Sequence, residues 1–395
     1  MNTKRNSFIL IIWVTTFCVL LSGCGTGISP SPTLPNTNSV TNTPPPEPTA
    51  TTKPIPQPTA TKLSGSFNTV KIESVALAGN LIGEKTERTI NVYLPPAYDT
   101  SAKRYPVVYY LPGFEDTNMG IAFWSIDALI QAGKIQEMIV VIVPGKNLLG
   151  GSFYVNSPVT GNWEDFVVQE VVRYVDGHYR TIAESGSRGI SGHSMGGFGS
   201  LNIAMQHPDV FGAVYSLSPG LFDENGLSNS QMFSNEYYIG LFVDEQKAIL
   251  AKPKDQQLTS VLSMRGNFTV AYGLAFAPDP QNPPFYFDYP YSKSNGKLVR
   301  DNEIWKRWDN GFGGIPGEIV QYKENLLMLK GIIVDYGTND EFKWIPQGCI
   351  YFDQQLTAAG IPHEMAVHNG NHQTYLGKRV LNYMLPFFSK LLVGE

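Results

Sequence analysis

The run Gly192-His193-Ser194-Met195-Gly196-Gly197 holds the residue types and spacing best suited to chemistry. A serine with glycines two residues to either side has the G-x-S-x-G form of a nucleophile on a sharp strand-to-helix turn. The glycines avoid clashes within the turn, and the strained backbone lifts the hydroxyl above the carboxyl edge of a sheet. The flanks agree: Arg188-Gly189-Ile190-Ser191 reads as a short strand, and Phe198 to Gln206 as a helix beginning with small residues. The N-terminus of that helix faces negative charge developing at the serine, and the amide of Met195 is placed to donate to it.

A serine hydroxyl is a poor nucleophile until a histidine takes its proton. Where this turn occurs in a sheet-based fold, the order along the chain is serine, acid, histidine. Of the six histidines, His363, His368 and His372 follow both the serine and the stretch that holds the acid candidates. His363 begins a predicted strand and His368 ends it, whereas His372 lies in the turn Asn369-Gly370-Asn371-His372. His193 adjoins the nucleophile, where a strained turn keeps it from its neighbour's oxygen, and is read as packing support. The acid candidates are Asp335, at the end of an apolar run, and Asp340 and Glu341 in the following Gly337-Thr338-Asn339-Asp340-Glu341-Phe342.

Strands are predicted over 69–77, 88–94, 106–111, 138–143, 187–191, 211–217, 331–336 and 363–368. The middle ones, such as Val107-Val108-Tyr109-Tyr110-Leu111, are almost wholly apolar, as in a parallel sheet covered on both faces. Helical periods lie between them, one through Phe166, Val167, Glu170, Val171, Tyr174 and Val175 with Asn162 as its N-cap. This alternation predicts an α/β fold: a mostly parallel eight-stranded sheet with helices on both faces, the α/β-hydrolase count. Residues 222–325, between the sixth and seventh strands, lack the alternation and hold the aromatic run Phe285-Tyr286-Phe287-Asp288-Tyr289-Pro290-Tyr291. A structureless loop of that size is improbable inside a domain, so the segment is expected to fold as a lid over the sheet. Tyr289 and Trp305 are its candidate substrate-binding residues.

The segment Ser191-Gly192-His193-Ser194-Met195-Gly196-Gly197-Phe198-Gly199 resembles the esterase D-like family of α/β-hydrolases. That family includes S-formylglutathione hydrolases, feruloyl and acetylxylan esterases, enterochelin esterases and mycolyltransferases. Tyr105-Pro106-Val107-Val108-Tyr109-Tyr110-Leu111-Pro112-Gly113, His207-Pro208-Asp209-Val210-Phe211 and Ser216-Leu217-Ser218 carry it further. The resemblance covers most of 66–220 and 326–395. It implies Ser194 as nucleophile, His372 as base, Asp340 as acid, and the Phe114 and Met195 amides as oxyanion donors. Pro112 stands where many relatives have His or Asp. The activity implied is carboxylic-ester hydrolysis, with acyl transfer to an alcohol on the same triad as the alternative. A non-catalytic surface binding protein is the rival of another class.

The N-terminus reads as an export signal. Lys4 and Arg5 precede an apolar run from Phe8 to Leu21, and Leu21-Ser22-Gly23-Cys24 resembles a bacterial lipobox, which implies acylation at Cys24. Residues 25–65 are expected to be an extended tether, since the 40 residues from Gly25 to Ser64 contain 10 Pro and 10 Thr. The catalytic domain then occupies 66–395, lipid-anchored on the outer face of a bacterial membrane. Cys18 leaves with the signal and Cys349 stands alone, so no internal disulfide is expected. A net charge of −5 without a basic stripe offers nothing to nucleic acid. No motif calls for a metal or an organic cofactor. The expected partners are a small-molecule or polysaccharide-linked ester and, through the anchor, the membrane.

Overall fold

The computed structural model describes residues 64–395, so the expected signal, the Cys24 anchor and nearly all of the tether lie outside the described residues. The main sheet has eight strands: β1 (Ser66–Glu73), β2 (Glu87–Leu94), β3 (Val107–Leu111), β4 (Ile139–Ile142), β5 (Arg188–His193), β6 (Ala213–Leu217), β7 (Gly331–Gly337) and β8 (Glu364–His368). Their spatial order is β1-β2-β4-β3-β5-β6-β7-β8. The β1–β2 and β2–β4 pairs are antiparallel, and every pair from β4 through β8 is parallel. This is the mostly parallel eight-stranded sheet of the α/β-hydrolase fold.

Side chains alternate across the pleat, so each apolar strand feeds two cores. Val107, Tyr109 and Leu111 of β3 join one buried cluster with Phe166, Val171, Phe198 and Leu201. Val108 and Tyr110 join the other, with Ile126, Val380 and Phe388. Helices therefore cover both faces.

Two local expectations are corrected. The first strand was expected over 69–77 but ends at Glu73. The Glu170 carboxylate accepts from the amides of Val75 and Ala76, both at 2.9 Å, and from the Ser74 hydroxyl at 2.5 Å, which takes the chain out of the ladder. The helical run beginning at Trp163 is not capped by the Asn162 side chain. Asn156 Oδ1 instead accepts from Glu164 and Asp165 at 3.1 and 3.2 Å, and Phe166–Val171 is π-helical.

The chain between β6 and β7 is largely helical, with Glu236–Leu250, Lys254–Leu262, Asn267–Phe276 and Asn302–Asp309 as its longer helices. Asn235 caps the first of these at the Tyr237 amide (2.9 Å), and Asp301 caps the last at Glu303 and Ile304 (2.9 and 3.0 Å). A two-stranded ribbon pairs Tyr291–Ser294 with Lys297–Arg300. Asn267–Phe276 is buried from Thr269 through Ala275, which leaves no polar stripe for sequence periodicity to show.

Candidate active site

Ser194 follows β5 directly and precedes the helix Met195–Gln206, at φ 57° and ψ −114°. Such a conformation costs a non-glycine residue about 1–3 kcal/mol and persists only where its surroundings enforce it. The Ser194 amide donates to Leu217 O at 2.9 Å, and its carbonyl accepts from Gly220 at 3.2 Å. The flanking glycines are required sterically. A Cβ on Gly192 would lie 2.2 Å from Gly196 O, and one on Gly196 would lie 1.8 Å from Leu111 O.

Asp340 sits in the loop after β7 and is fully buried. Its Oδ1 accepts from the Phe342 amide at 2.9 Å, and its Oδ2 from His372 Nδ1 at 2.7 Å. A carboxylate occupied in this way fixes the tautomer with the proton on Nδ1 and leaves Nε2 as the basic nitrogen. His372 and Ser194 line the same cavity, of about 240 Å³. Phe342 meets the His372 ring edge-on at 5.1 Å.

The loop that carries His372 is held from two sides. Glu341 Oε2 accepts from the His372 amide at 3.1 Å. Burial outweighs every other influence on His193 and, with His372 nearby, pushes its pKa down to about 3. The ring is therefore neutral. Its Nε2–H donates to the His372 carbonyl at 2.9 Å, with the two rings 4.6 Å apart. The residue read as packing support thus ties the nucleophile's strand to the backbone of His372.

The other candidates stand elsewhere. His368 Nδ1 accepts from the Gly370 amide at 3.0 Å, while its Nε2 faces Asp335 at 3.5 Å. Asp335 Oδ2 accepts from Tyr215 at 2.5 Å and from Arg379 Nε at 2.7 Å. His363 uses both ring nitrogens, on Ile361 O and Asp353, each at 2.8 Å. None of the three lines the Ser194 cavity.

Phe114 and Met195, whose amides are expected to meet an oxyanion, both line the Ser194 cavity. Met195 opens its helix, so its N–H has no intrahelical acceptor. Phe114 lies in a turn where Asp116 N donates to Gly113 O at 3.1 Å and Glu115 N to Gly150 O at 2.8 Å. The carbonyl of Pro112, the residue that departs from many relatives, accepts from the Tyr154 hydroxyl at 3.0 Å.

The cavity walls are aromatic: Phe114, Phe268, Phe312, Phe342 and Trp344. Phe268 and Phe312 come from the segment between β6 and β7. Tyr289 and Trp305, the residues expected from that segment, do not line this cavity. Tyr289 packs on Phe242 at 4.4 Å, and Trp305 on Phe233 at 5.0 Å with Arg300 over its ring. Both pack within the segment's own aromatic cluster, and Tyr289 also lines an open groove that shares Gln231 with the Ser194 cavity. Phe268 and Phe312 belong to no common motif, so nothing local in the sequence marked them.

The family model described as "Putative esterase" matches residues 83–309, a span that encloses Ser194 and ends before Asp340 and His372. An esterase of Mycobacterium tuberculosis is 32% identical over 138 residues, which cover 33% of this chain and 28% of the relative. An endo-1,4-beta-xylanase/feruloyl esterase of Xylanibacter ruminicola is 33% identical over 147 residues, 34% of this chain and 20% of the relative. The chain thus spans a quarter or so of the length of these curated relatives. Among solved structures, a ferulic acid esterase matches with a TM-score of 0.54 at 22% identity, covering 84% of this chain and all of that one. An S-formylglutathione hydrolase from Agrobacterium tumefaciens matches with a TM-score of 0.52 at 17% identity, covering 84% of this chain and 98% of that one. At these identities the structural likeness speaks for the fold.

Proposed function

This chain belongs to the esterase family, and from that premise we propose that it hydrolyses carboxylic esters through a Ser194–His372–Asp340 triad. The observation that carries the reading is His372, held by Asp340 through Nδ1 at 2.7 Å while it shares a cavity with Ser194. Ser194 Oγ attacks the acyl carbon as His372 Nε2 takes its proton. Asp340 stabilises the imidazolium that forms, and the Phe114 and Met195 amides receive the oxyanion. His372 then returns the proton to the leaving alkoxide, and the acyl-enzyme is left on Ser194. Water, deprotonated by His372, attacks that ester and releases the acid.

The lining favours a flat, uncharged acyl group. Its walls are aromatic, and among its lining residues Asp116 is the one carboxylate, with neither Lys nor Arg present. An aromatic acid ester fits such walls by stacking. The lipobox at Cys24 and the Pro/Thr-rich stretch after it support a site of action outside the cell, on a lipid anchor.

A fluorophosphonate probe tests the nucleophile. It labels Ser194 alone, and Ser194→Ala lowers kcat on 4-nitrophenyl acetate by about 10⁴–10⁶-fold. Labelling of another serine overturns the assignment. Detergent partition of the exported protein, lost in Cys24→Ala, tests the anchor.

A further inference from the structure

Met195 brings a thioether to the site as well as an amide. The side chain is buried in the fold, yet it lines the Ser194 cavity of about 240 Å³, which is wide enough for molecules the size of water. Its Sδ accepts from the buried amide of Phe153 at 3.4 Å. A Cβ on Gly151 would lie 2.3 Å from that sulfur and 2.5 Å from the Phe114 ring, so the sulfur fits there only because residue 151 is glycine.

The wall that holds the sulfur is strained. Phe153 and Tyr154 both have positive φ, 56° and 55°. Two such residues in succession cost energy and persist only where their surroundings hold them. Phe153 packs in turn on Phe114, Phe268 and Phe312, three of the cavity's aromatic walls, at ring distances of 6.2, 5.5 and 5.6 Å. The sulfur is thus the point where the nucleophile's helix bears on the lining of the cavity.

A thioether is soft and polarisable, and its sulfur carries two lone pairs. The Phe153 amide engages one of them, and no second donor reaches it among the described residues. The other can attack an oxygen of hydrogen peroxide. An S–O bond forms and the O–O bond breaks. The departing hydroxide takes the proton of the transferred oxygen and leaves as water. Sulfur is oxidised to the sulfoxide and peroxide is reduced. Packed this closely on Gly151 and Phe114, the sulfur has no room for an oxygen on that wall. The oxygen either stands in the cavity, as an acceptor facing the oxyanion, or parts Sδ from the Phe153 amide and shifts the turn. Both weaken the stabilisation of developing negative charge.

We propose that Met195 is a peroxide-sensitive modification site, whose sulfoxide halts the chemistry of Ser194 until a dithiol-dependent reductase removes the oxygen. The effect on turnover rests on the esterase reading above, whereas the modification itself does not.

The full chain treated with hydrogen peroxide tests the site, with methionine oxidation read peptide by peptide by mass spectrometry. Met328, 63% exposed, gains its oxygen first and serves as an internal reference. Activity on 4-nitrophenyl acetate follows the unoxidised fraction at Met195 and not that at Met328. Complete oxidation at Met195 lowers kcat by about 10²-fold, the scale of losing one oxyanion donor. A methionine sulfoxide reductase with dithiothreitol restores the rate as Met195 loses its added mass. Met195→Leu, measured against its own untreated rate, keeps that rate within about twofold in peroxide, while Met328→Leu is inactivated like the wild type. If Met195→Leu fails to fold, the correlation and its reversal in the wild type decide. The site is overturned if activity disappears while Met195 stays unoxidised, if complete oxidation there leaves the rate within about twofold, or if Met195→Leu is inactivated as fast as the wild type. Reversible oxidation of Met195 in a protein that never hydrolyses an ester would retain the modification site and sink the esterase reading.

Discussion

Two His–Asp pairs stand at the ends of β7 and β8, and only one of them faces the serine. His372 and Asp340 meet at 2.7 Å in the loops beyond the strands, beside the Ser194 cavity. His368 and Asp335 stand 3.5 Å apart within the strands themselves, on the face covered by the C-terminal helices. Asp335 is neutralised there by Arg379 and bonded by Tyr215. Burial pushes its carboxyl up, against the pull of those donors and of Arg379 and His368. The two pairs contain the same residue types a few positions apart. Their difference teaches that a carboxylate can orient a base only when no cation already claims it and when the imidazole keeps one nitrogen free.

The sharpest test of this contrast exchanges the histidines. His372→Ala should lower kcat by about 10⁴-fold or more, and its effect should not add to that of Ser194→Ala. His368→Ala should leave kcat within about tenfold, since its ring nitrogens serve Gly370 and Asp335. A crippled His368→Ala beside a mild His372→Ala would reverse the assignment.

The acids should separate by kind of loss. Asp340→Asn lowers kcat by about 10³–10⁴-fold, because the amide presents the wrong tautomeric partner to Nδ1, while the melting temperature changes little. Asp335→Asn does the opposite. It strands the buried Arg379 and costs about 3–5 kcal/mol of stability, read by urea unfolding, with kcat nearly unchanged. Equal catalytic losses in the two variants would erase the distinction between the pairs.

His193 supports only the first pair, and its effects are smaller. His193→Phe removes the donor to the His372 carbonyl and should lower kcat by about 10²-fold at unchanged KM, as expected when a base is misplaced by about an ångström. The His193→Asn variant, which keeps an N–H donor, recovers part of that loss. His193 also makes stability pH-dependent. Its pKa is about 3 in the folded protein, and about 6.5 in the unfolded chain. Between those values the unfolded chain binds a proton that the folded one does not, so stability falls as pH falls. At pH 5 the contribution is about 2 kcal/mol. Thermal unfolding at pH 7.5 and 5 should show a steeper loss in the wild type than in His193→Asn. Parallel losses would mean that the buried ring is not the group responsible.

The sheet was legible in the sequence because its strands are apolar on both faces and bounded by turn residues. The nucleophile was legible because its turn demands glycines at fixed offsets, and the structure gives Gly192 and Gly196 no room for a Cβ. The two His–Asp pairs could not be separated by residue type or spacing, and only the family resemblance favoured one. What decides between them is Arg379, which arrives from a helix after β8. Errors in the elements have similar long-range causes. Glu170 ends β1 from 94 to 96 residues away, a contact no window of sequence contains. Within the segment between β6 and β7, the helix Asn267–Phe276 was hidden because it is apolar all round. The segment's aromatics were visible, but nothing in the sequence told Phe268 and Phe312, which reach the cavity, from Tyr289 and Trp305, which do not.

The position of β8 at the sheet's edge has a consequence for how the protein is made. The elbow needs only β3, β5 and β6 around it, and all three precede the long helical segment along the chain. His372 follows β8, which can pair only after β7 has docked. Closing that long excursion between β6 and β7 carries an entropic cost that the local elbow contacts do not. An emerging chain therefore builds its serine turn early and acquires its proton acceptor late. A molecule in which β8 has not yet paired lacks that acceptor, so it should be chemically silent towards esters.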